Sequence, residues 1–158
     1  MYFTTVTLYP VSAMIWSRLI KRFTNKYSLF SKYMSEDKLF QLSKHKYINI
    51  ETYRKNGTGV RTPVWFVVNQ GLIYFRTDAK SGKVKRIRNN PHVKIAPCNI
   101  GGNVEGDWYD GKAKFSDSAE STIAFSLINK KYGLLTTFIR LFNKIRSTSP
   151  LVISLTLE

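Results

Sequence analysis

One cysteine, Cys98, stands in a chain of 158 residues, which excludes an intrachain disulfide framework. Histidine is nearly as scarce. His45, His92 and Cys98 fall at no usual metal-ligand spacing, so the sequence carries no metal signature. Acids are few: ten Asp and Glu against 25 Lys and Arg give a formal charge of +15. Such a surplus favours anionic partners, whether nucleic acid, membrane or a phosphorylated small molecule, and composition does not choose among them. Neither GxGxxG nor GxxxxGK[ST] occurs, so no Rossmann or P-loop phosphate site is indicated. Long apolar runs are missing too. The stretch from Val6 to Ile20 is interrupted by Pro10 and Ser12 and falls short of the ~20 residues that a spanning helix needs. Its charges follow the apolar part instead of preceding it, which makes a poor signal peptide. These absences together lead to the expectation of a cytoplasmic protein without a transmembrane segment.

What is present is enough for one domain with a real core, since 43% of the residues are hydrophobic and 14% aromatic. Residues 1–33 differ from the rest. They hold five Lys and Arg and no acid, while Met34 opens a stretch, Met-Ser-Glu-Asp-Lys-Leu-Phe, that reads as a natural beginning. The expected organisation is therefore a basic N-terminal extension over 1–33 and a single domain over 34–158. The extension is open to three readings: a flexible arm, an interfacial helix, or translation from an upstream start.

Leu39 and Leu42 sit three apart behind Glu36 and Asp37, which predicts a short helix with acids in its first turn. Alternation and β-forming residues predict strands over 47–53, 60–68, 72–77, 93–97 and 151–157, with tight turns at Lys55-Asn56-Gly57 and Asn69-Gln70-Gly71. A further strand over 108–115 is expected to break at Asp110-Gly111. Ser81 to Asn90 reads as a one-sided helix, with Val84 and Ile87 on the apolar side and Asn90-Pro91 as its stop. Asp117-x-x-Glu120 is a capping box that opens a helix to Tyr132, with Gly133 as its C-terminal residue. A last helix is expected over 134–146. Six strands at turn-sized spacing with peripheral helices predict a mainly β protein, a small antiparallel barrel.

The most specific signal lies between Arg76 and Lys94, where seven cations accompany one acid. Arg76 and Thr77 end a strand, and Ser81, Gly82 and Lys83 open a helix four residues later. Hydroxyls, cations, a glycine that permits close approach and a helix N-terminus thus converge, as a phosphate group requires. On the paired strand, Pro63 of Thr62-Pro63-Val64 donates no N–H, so the strand is expected to be irregular or at an edge there. Cys98 is expected to be a buried or groove-lining residue and not a nucleophile. Trp108 and Tyr109 fit either a core or a dimer contact.

The runs Arg-Thr-Pro-Val-Trp-Phe, Tyr-Phe-Arg-Thr-x-x-x-Ser-Gly-Lys-Val-Lys-Arg-Ile-Arg-Asn-Asn-Pro and Val-Lys-Ile-Ala-Pro-Cys resemble the split-barrel flavin-binding superfamily of pyridoxamine 5′-phosphate oxidase. More narrowly, they are similar to its branch of deazaflavin (coenzyme F420)-dependent oxidoreductases. The resemblance runs from Met34 to the C-terminus. It implies a six-stranded antiparallel split β-barrel, a homodimer, and a cofactor in the groove between subunits, either coenzyme F420 or, alternatively, FMN. Carried over by position, Arg76, Thr77, Ser81, Gly82 and Lys83 would take the cofactor phosphate. Thr62, Pro63 and Val64 would line its ring, with Pro97 and Cys98 near the same groove. The implied activity is hydride transfer between the cofactor and a small organic substrate, with no catalytic side chain and no metal. The alternatives are a non-enzymatic flavin carrier and an anionic-polymer binder, although nucleic acid is not the expected partner.

Overall fold

The computed structural model describes residues 33–133 and 149–158. The chain divides into two units, Met1–Glu36 and Asp37–Glu158, and the fold described here is that of the second. Nearly all of the basic extension, and the whole of the helix expected over 134–146, lie outside the described residues. Residues 33–43 are helical, and the part belonging to the second unit, 37–43, is α1. There follow β1 (Tyr47–Tyr53), β2 (Gly59–Asn69), β3 (Leu72–Asp78), α2 (Gly82–Asn89), β4 (His92–Cys98), β5 (Tyr109–Phe115), α3 (Ser118–Tyr132) and β6 (Pro150–Leu157). The strands close a six-stranded barrel in the order β1-β2-β3-β6-β5-β4, every pairing antiparallel.

Alternation along the strands separates two apolar sets. Ile48, Ile50, Phe66, Ile73, Phe75, Val93, Ile95, Ile153 and Leu155 fill the interior, joined by Leu39 and Leu42 from α1 and by Val84 and Ile87 from α2. Each such side chain, fully buried, contributes ~1.5–3 kcal/mol, so this interior is the main source of stability. The second set lies outside the barrel, where Val67, Tyr74 and Val152 meet Ala124, Ile128 and Tyr132 of α3. The capping box of α3 forms in full: Glu120 N–H donates to Asp117 Oδ1 (2.8 Å) and Asp117 N–H to Glu120 Oε2 (3.3 Å). Gly133 closes the helix at φ 50°, a conformation that favours glycine.

One expectation needs correction. β5 does not break at Asp110-Gly111 but runs unbroken through both. Gly111 here serves close packing: a Cβ on it would stand 2.8 Å from the Thr156 carbonyl oxygen of β6. Glycine in a strand signals either a break or a near neighbour, and only the β6 pairing distinguishes the two.

β2 changes partners midway. Gly59 to Trp65 pair with β1, whereas only Phe66 to Asn69 pair with β3. On β3, residues Arg76 to Asp78 pair with β6 alone. The barrel is therefore split between the first half of β2 and the end of β3, and Pro63 stands on the opened stretch, consistent with its expected edge position.

Phe66 is the residue at which the exchange occurs. Its N–H donates to the Tyr132 hydroxyl (3.0 Å), and that hydroxyl lies 2.7 Å from the Lys46 carbonyl and 2.8 Å from the Phe66 carbonyl. Tyr132 thus continues the β1–β2 ladder one step past its last pair, Tyr47 with Trp65. Its ring stacks on Trp65 with centroids 4.8 Å apart. Lys131 Nζ donates to the same Phe66 carbonyl (3.2 Å) and to that of His45 (3.0 Å). Among the described residues, no helix is long and apolar enough to cross a membrane.

Candidate functional site

The β3–α2 connection builds the site from short-range contacts. Asp78 accepts from the Lys80 amide at its side chain (2.9 Å) and from the Ser81 amide at its carbonyl (2.9 Å), which folds the loop tightly. That turn sets Thr77 and Ser81 hydroxyl to hydroxyl at 3.1 Å. Lys83 Nζ then reaches back to donate to Thr77 Oγ1 at 3.4 Å. Ser81 occupies the N-cap position of α2, yet its side chain caps no amide, and no acid stands in the first turn. By helix geometry the first amides of α2 have no intrahelical acceptor, so this end carries an uncompensated partial positive charge.

Arg86 adds to the field. Its Nε donates to the buried Thr52 hydroxyl of β1 (2.8 Å), and its guanidinium folds back so that a Cβ on Gly82 would stand 3.0 Å from Nη1. Burial holds the Lys83 ammonium below the usual lysine range, and the Arg86 charge pushes the same way against a smaller opposing pull from Asp78. Burial likewise lowers Arg86, with Arg54 contributing. Partly desolvated cations that outnumber the nearby acid form a place suited to an anion. Polar hydroxyls, amides and a partly desolvated ammonium are the donor set that a phosphate monoester or diester takes.

The expected residues do not all converge. Thr77, Ser81 and Lys83 are brought together, with Gly82 between the latter two in sequence. Arg76 is on the opposite face of β3 from Thr77, as strand alternation requires, and its guanidinium lies 5.5 Å from the Phe125 ring centroid of α3. Thr62, Pro63 and Val64 lie on the stretch of β2 beside the split; Val64 is buried in the interior while Pro63 is exposed. Pro97 and Cys98 are on β4, one strand beyond β1, opposite Ile48 and Tyr47. Cys98 is buried, and burial with the charge of Glu105 pushes its thiol up to about 11, which leaves it inert as a nucleophile.

Sequence reasoning did not single out Thr52, Arg86 or Asn49. Asn49 is buried on β1 with its Nδ2 donating to the Gly102 carbonyl (2.6 Å) and its Oδ1 without a hydrogen-bond partner. A polar residue at an otherwise apolar strand centre is the signal that could have flagged it. Trp108 and Tyr109 are separated by the structure: Tyr109 packs against the barrel interior, and Trp108 lies under the Arg61 guanidinium at 4.8 Å.

Comparison with known proteins agrees with this architecture. The family described as Pyridoxamine 5′-phosphate oxidase matches residues 34–156, so the chain belongs to that family. Among solved structures, HutZ, the heme storage protein of Vibrio cholerae, superposes with a TM-score of 0.57 at 14% identity, over 78% of this chain and 89% of its own. Rv2991, a conserved hypothetical protein of Mycobacterium tuberculosis, gives 0.56 at 16% identity, over 77% and 82%. An FAD-binding protein of Mesorhizobium loti gives 0.51 at 13% identity, over 74% and 82%. At these identities the likeness is one of fold. No functionally curated protein matches the chain.

Proposed function

We propose, from the premise that this chain is a member of the pyridoxamine 5′-phosphate oxidase family, that it is an oxidoreductase working with a phosphate-bearing flavin-type cofactor. The reading is coenzyme F420, with FMN as the alternative, and the substrate is a small organic molecule. One observation carries it: the Thr77–Ser81–Lys83 cluster at the bare N-terminus of α2, reinforced by Arg86. When bound, such a cofactor supplies the hydride-carrying ring atom. The chain's own residues have simpler tasks. Thr77, Ser81, Lys83 and the first amides of α2 hold the phosphate, and Arg86 adds charge from behind. Thr62, Pro63 and Val64 offer the ring a wall along the opened half of β2, which also keeps water from it. The exposed Lys80 and Lys85 flank the cluster and favour the deazaflavin, whose side chain continues past its phosphate into an acidic tail. In this reading 34–158 is the working domain, 1–33 is an extension, and two copies complete the groove.

Titration with coenzyme F420 and with FMN, followed by absorbance and fluorescence, tests this. Lys83→Met removes a charge-assisted contact of ~1.5–3 kcal/mol, so the cofactor should bind about ten- to a hundredfold more weakly. Lys130→Met, on the exposed side of α3, should leave binding within about twofold, because screening removes a distant surface charge. Equal losses in both variants would assign anion binding to the basic surface at large and not to the Lys83 cluster. Saturation by neither cofactor, together with DNA binding that weakens steeply with salt, would replace the reading with an anionic-polymer binder.

A further inference from the structure

Asn49 sits in the middle of β1 and is only 1% exposed, yet half of its carboxamide is unmatched. Strand register sets it directly between Pro63 of β2 and Ala96 of β4, and opposed residues share a face. Over Asn49 and Pro63 folds the turn Asn99–Asn103, at the start of the β4–β5 connection. Internal contacts keep the turn in shape: Asn99 Oδ1 accepts from the amides of Gly101 (2.9 Å) and Asn103 (3.0 Å), and the Gly102 amide donates to the Asn99 carbonyl (3.0 Å). The Gly102 carbonyl in turn accepts from Asn49 Nδ2 at 2.6 Å. A carbonyl only accepts, so the nitrogen is the atom that faces it, and the orientation of the carboxamide is fixed. Asn49 Oδ1 is thereby left buried with no donor among the described residues. Its cover is thin. Gly102 has φ 84°, and a Cβ on it would stand 3.5 Å from Asn49 Oδ1 and 3.6 Å from Pro63 Cγ, so residue 102 covers both with backbone alone.

A buried acceptor without a donor is rare, because burial forfeits its hydrogen bonds to water. Leucine, of nearly the same shape, would fill this place without that cost. The turn itself has little apolar hold, since Ile100 in it is 76% exposed. The closed turn thus satisfies Nδ2 and leaves Oδ1 unpaired, and a ligand that pairs with both has the advantage over it. We propose that Asn49 is a specificity-determining residue, and the turn 99–103 the cover that yields to its ligand: a molecule with an N–H beside a C=O, an imide or lactam edge. The Gly102 carbonyl stands in for the ligand's C=O, and Oδ1 awaits the adjacent N–H. Such an edge makes two hydrogen bonds in register with a carboxamide, which an ester, a ketone or an N-alkylated amide does not. The inference rests on the reading above in one respect, that a ligand lies along Pro63. Two sources carry this edge: the pyrimidinedione end of a flavin-type ring, and a small cyclic imide or lactam as substrate.

Two pairs of phosphate-free probes test this on the full-length protein. Lumiflavin and its imide N-methyl derivative represent the ring, and glutarimide and N-methylglutarimide represent a small substrate. The Asn49 side-chain amide is identified in a nitrogen–proton correlation spectrum as the signal pair missing from Asn49→Leu. It should shift with the free imide of at least one pair. The methylated partner should bind about tenfold more weakly, because it has lost the donor to Oδ1. In Asn49→Leu the two members of the pair should bind alike. This ratio separates recognition from support, since a residue that merely holds the turn changes both affinities together. Should leucine unfold the chain, judged by circular dichroism, Asn49→Thr keeps a polar β-forming residue without the paired edge and should also lose the ratio. Selectivity with lumiflavin assigns the edge to the cofactor ring, and selectivity with glutarimide alone assigns it to the substrate. An Asn49 amide that answers to neither imide, methylated probes that bind as well as the free ones, or selectivity retained in the variants would each overturn the proposal. The probes lack phosphate, so a failed Lys83 titration leaves imide selectivity standing, and absent selectivity leaves the Lys83 result standing.

Discussion

Replacing Tyr132 by Phe tests whether one hydroxyl holds the barrel at the point where β2 changes partners. The substitution keeps the ring and so keeps the stack on Trp65, worth ~0.5–1.5 kcal/mol beyond burial. It removes the acceptor of the Phe66 N–H and the donor to the Lys46 or Phe66 carbonyl, in a side chain that is itself buried. A buried N–H left without a partner costs ~1–3 kcal/mol. At ~2–4 °C per kcal/mol for a chain of this size, the melting temperature should fall by roughly 4–8 °C for a loss of about 2 kcal/mol. Tyr132→Ala also empties the ring's place and should cost ~3–5 kcal/mol. Urea unfolding followed by tryptophan fluorescence reads all three proteins, with Trp65 as the local reporter.

The same residue gives a pH signature. Burial pushes the Tyr132 hydroxyl from its ordinary 10.0 up to about 12. The unfolded chain therefore releases this proton first, and the stability that the neutral hydroxyl contributes is complete below pH 10. It is lost as pH rises from 10 to about 12. Two pH units correspond to ~2–3 kcal/mol, so the gap between wild type and Tyr132→Phe should narrow through that window. A gap under about 0.5 kcal/mol at neutral pH, the size of an ordinary surface change, would refute the ladder argument. So would a gap that stays constant through the alkaline range.

Two further outcomes concern Lys83 and Cys98. Lys83 holds its charge at a desolvated place beside Arg86, so Lys83→Met should stabilise the cofactor-free protein at neutral pH while weakening cofactor binding. Because the folded-state value is lowered, wild-type stability recovers as pH climbs towards the lysine range, and the gain from methionine should shrink there; a destabilised Lys83→Met protein would contradict this. Cys98 should react with a thiol reagent at mildly alkaline pH only as fast as the chain unfolds, since the thiol is buried and pushed up to about 11, and rapid labelling of the native protein would disprove that placement.

Local order alone determined much of this protein. Alternating apolar residues at Ile48 and Ile50 or at Ile73 and Phe75, and turns at Gly57 and Gly71, define strands whatever they later pair with. The Asp117–Glu120 capping box and the meeting of Thr77, Ser81 and Lys83 are equally local, because each joins residues three to six positions apart. What only the tertiary structure decided is which distant groups meet. Tyr132 reaches Phe66 across 66 positions, and Arg86 reaches Thr52 across 34. The split in β2, the role of Gly111 as a close neighbour of β6 and the place of Asn49 between Pro63 and Ala96 depend on the registers of pairings that close the barrel. Register is set by the packing of a whole apolar face against its neighbours, a sum over many contacts that no short window of sequence contains.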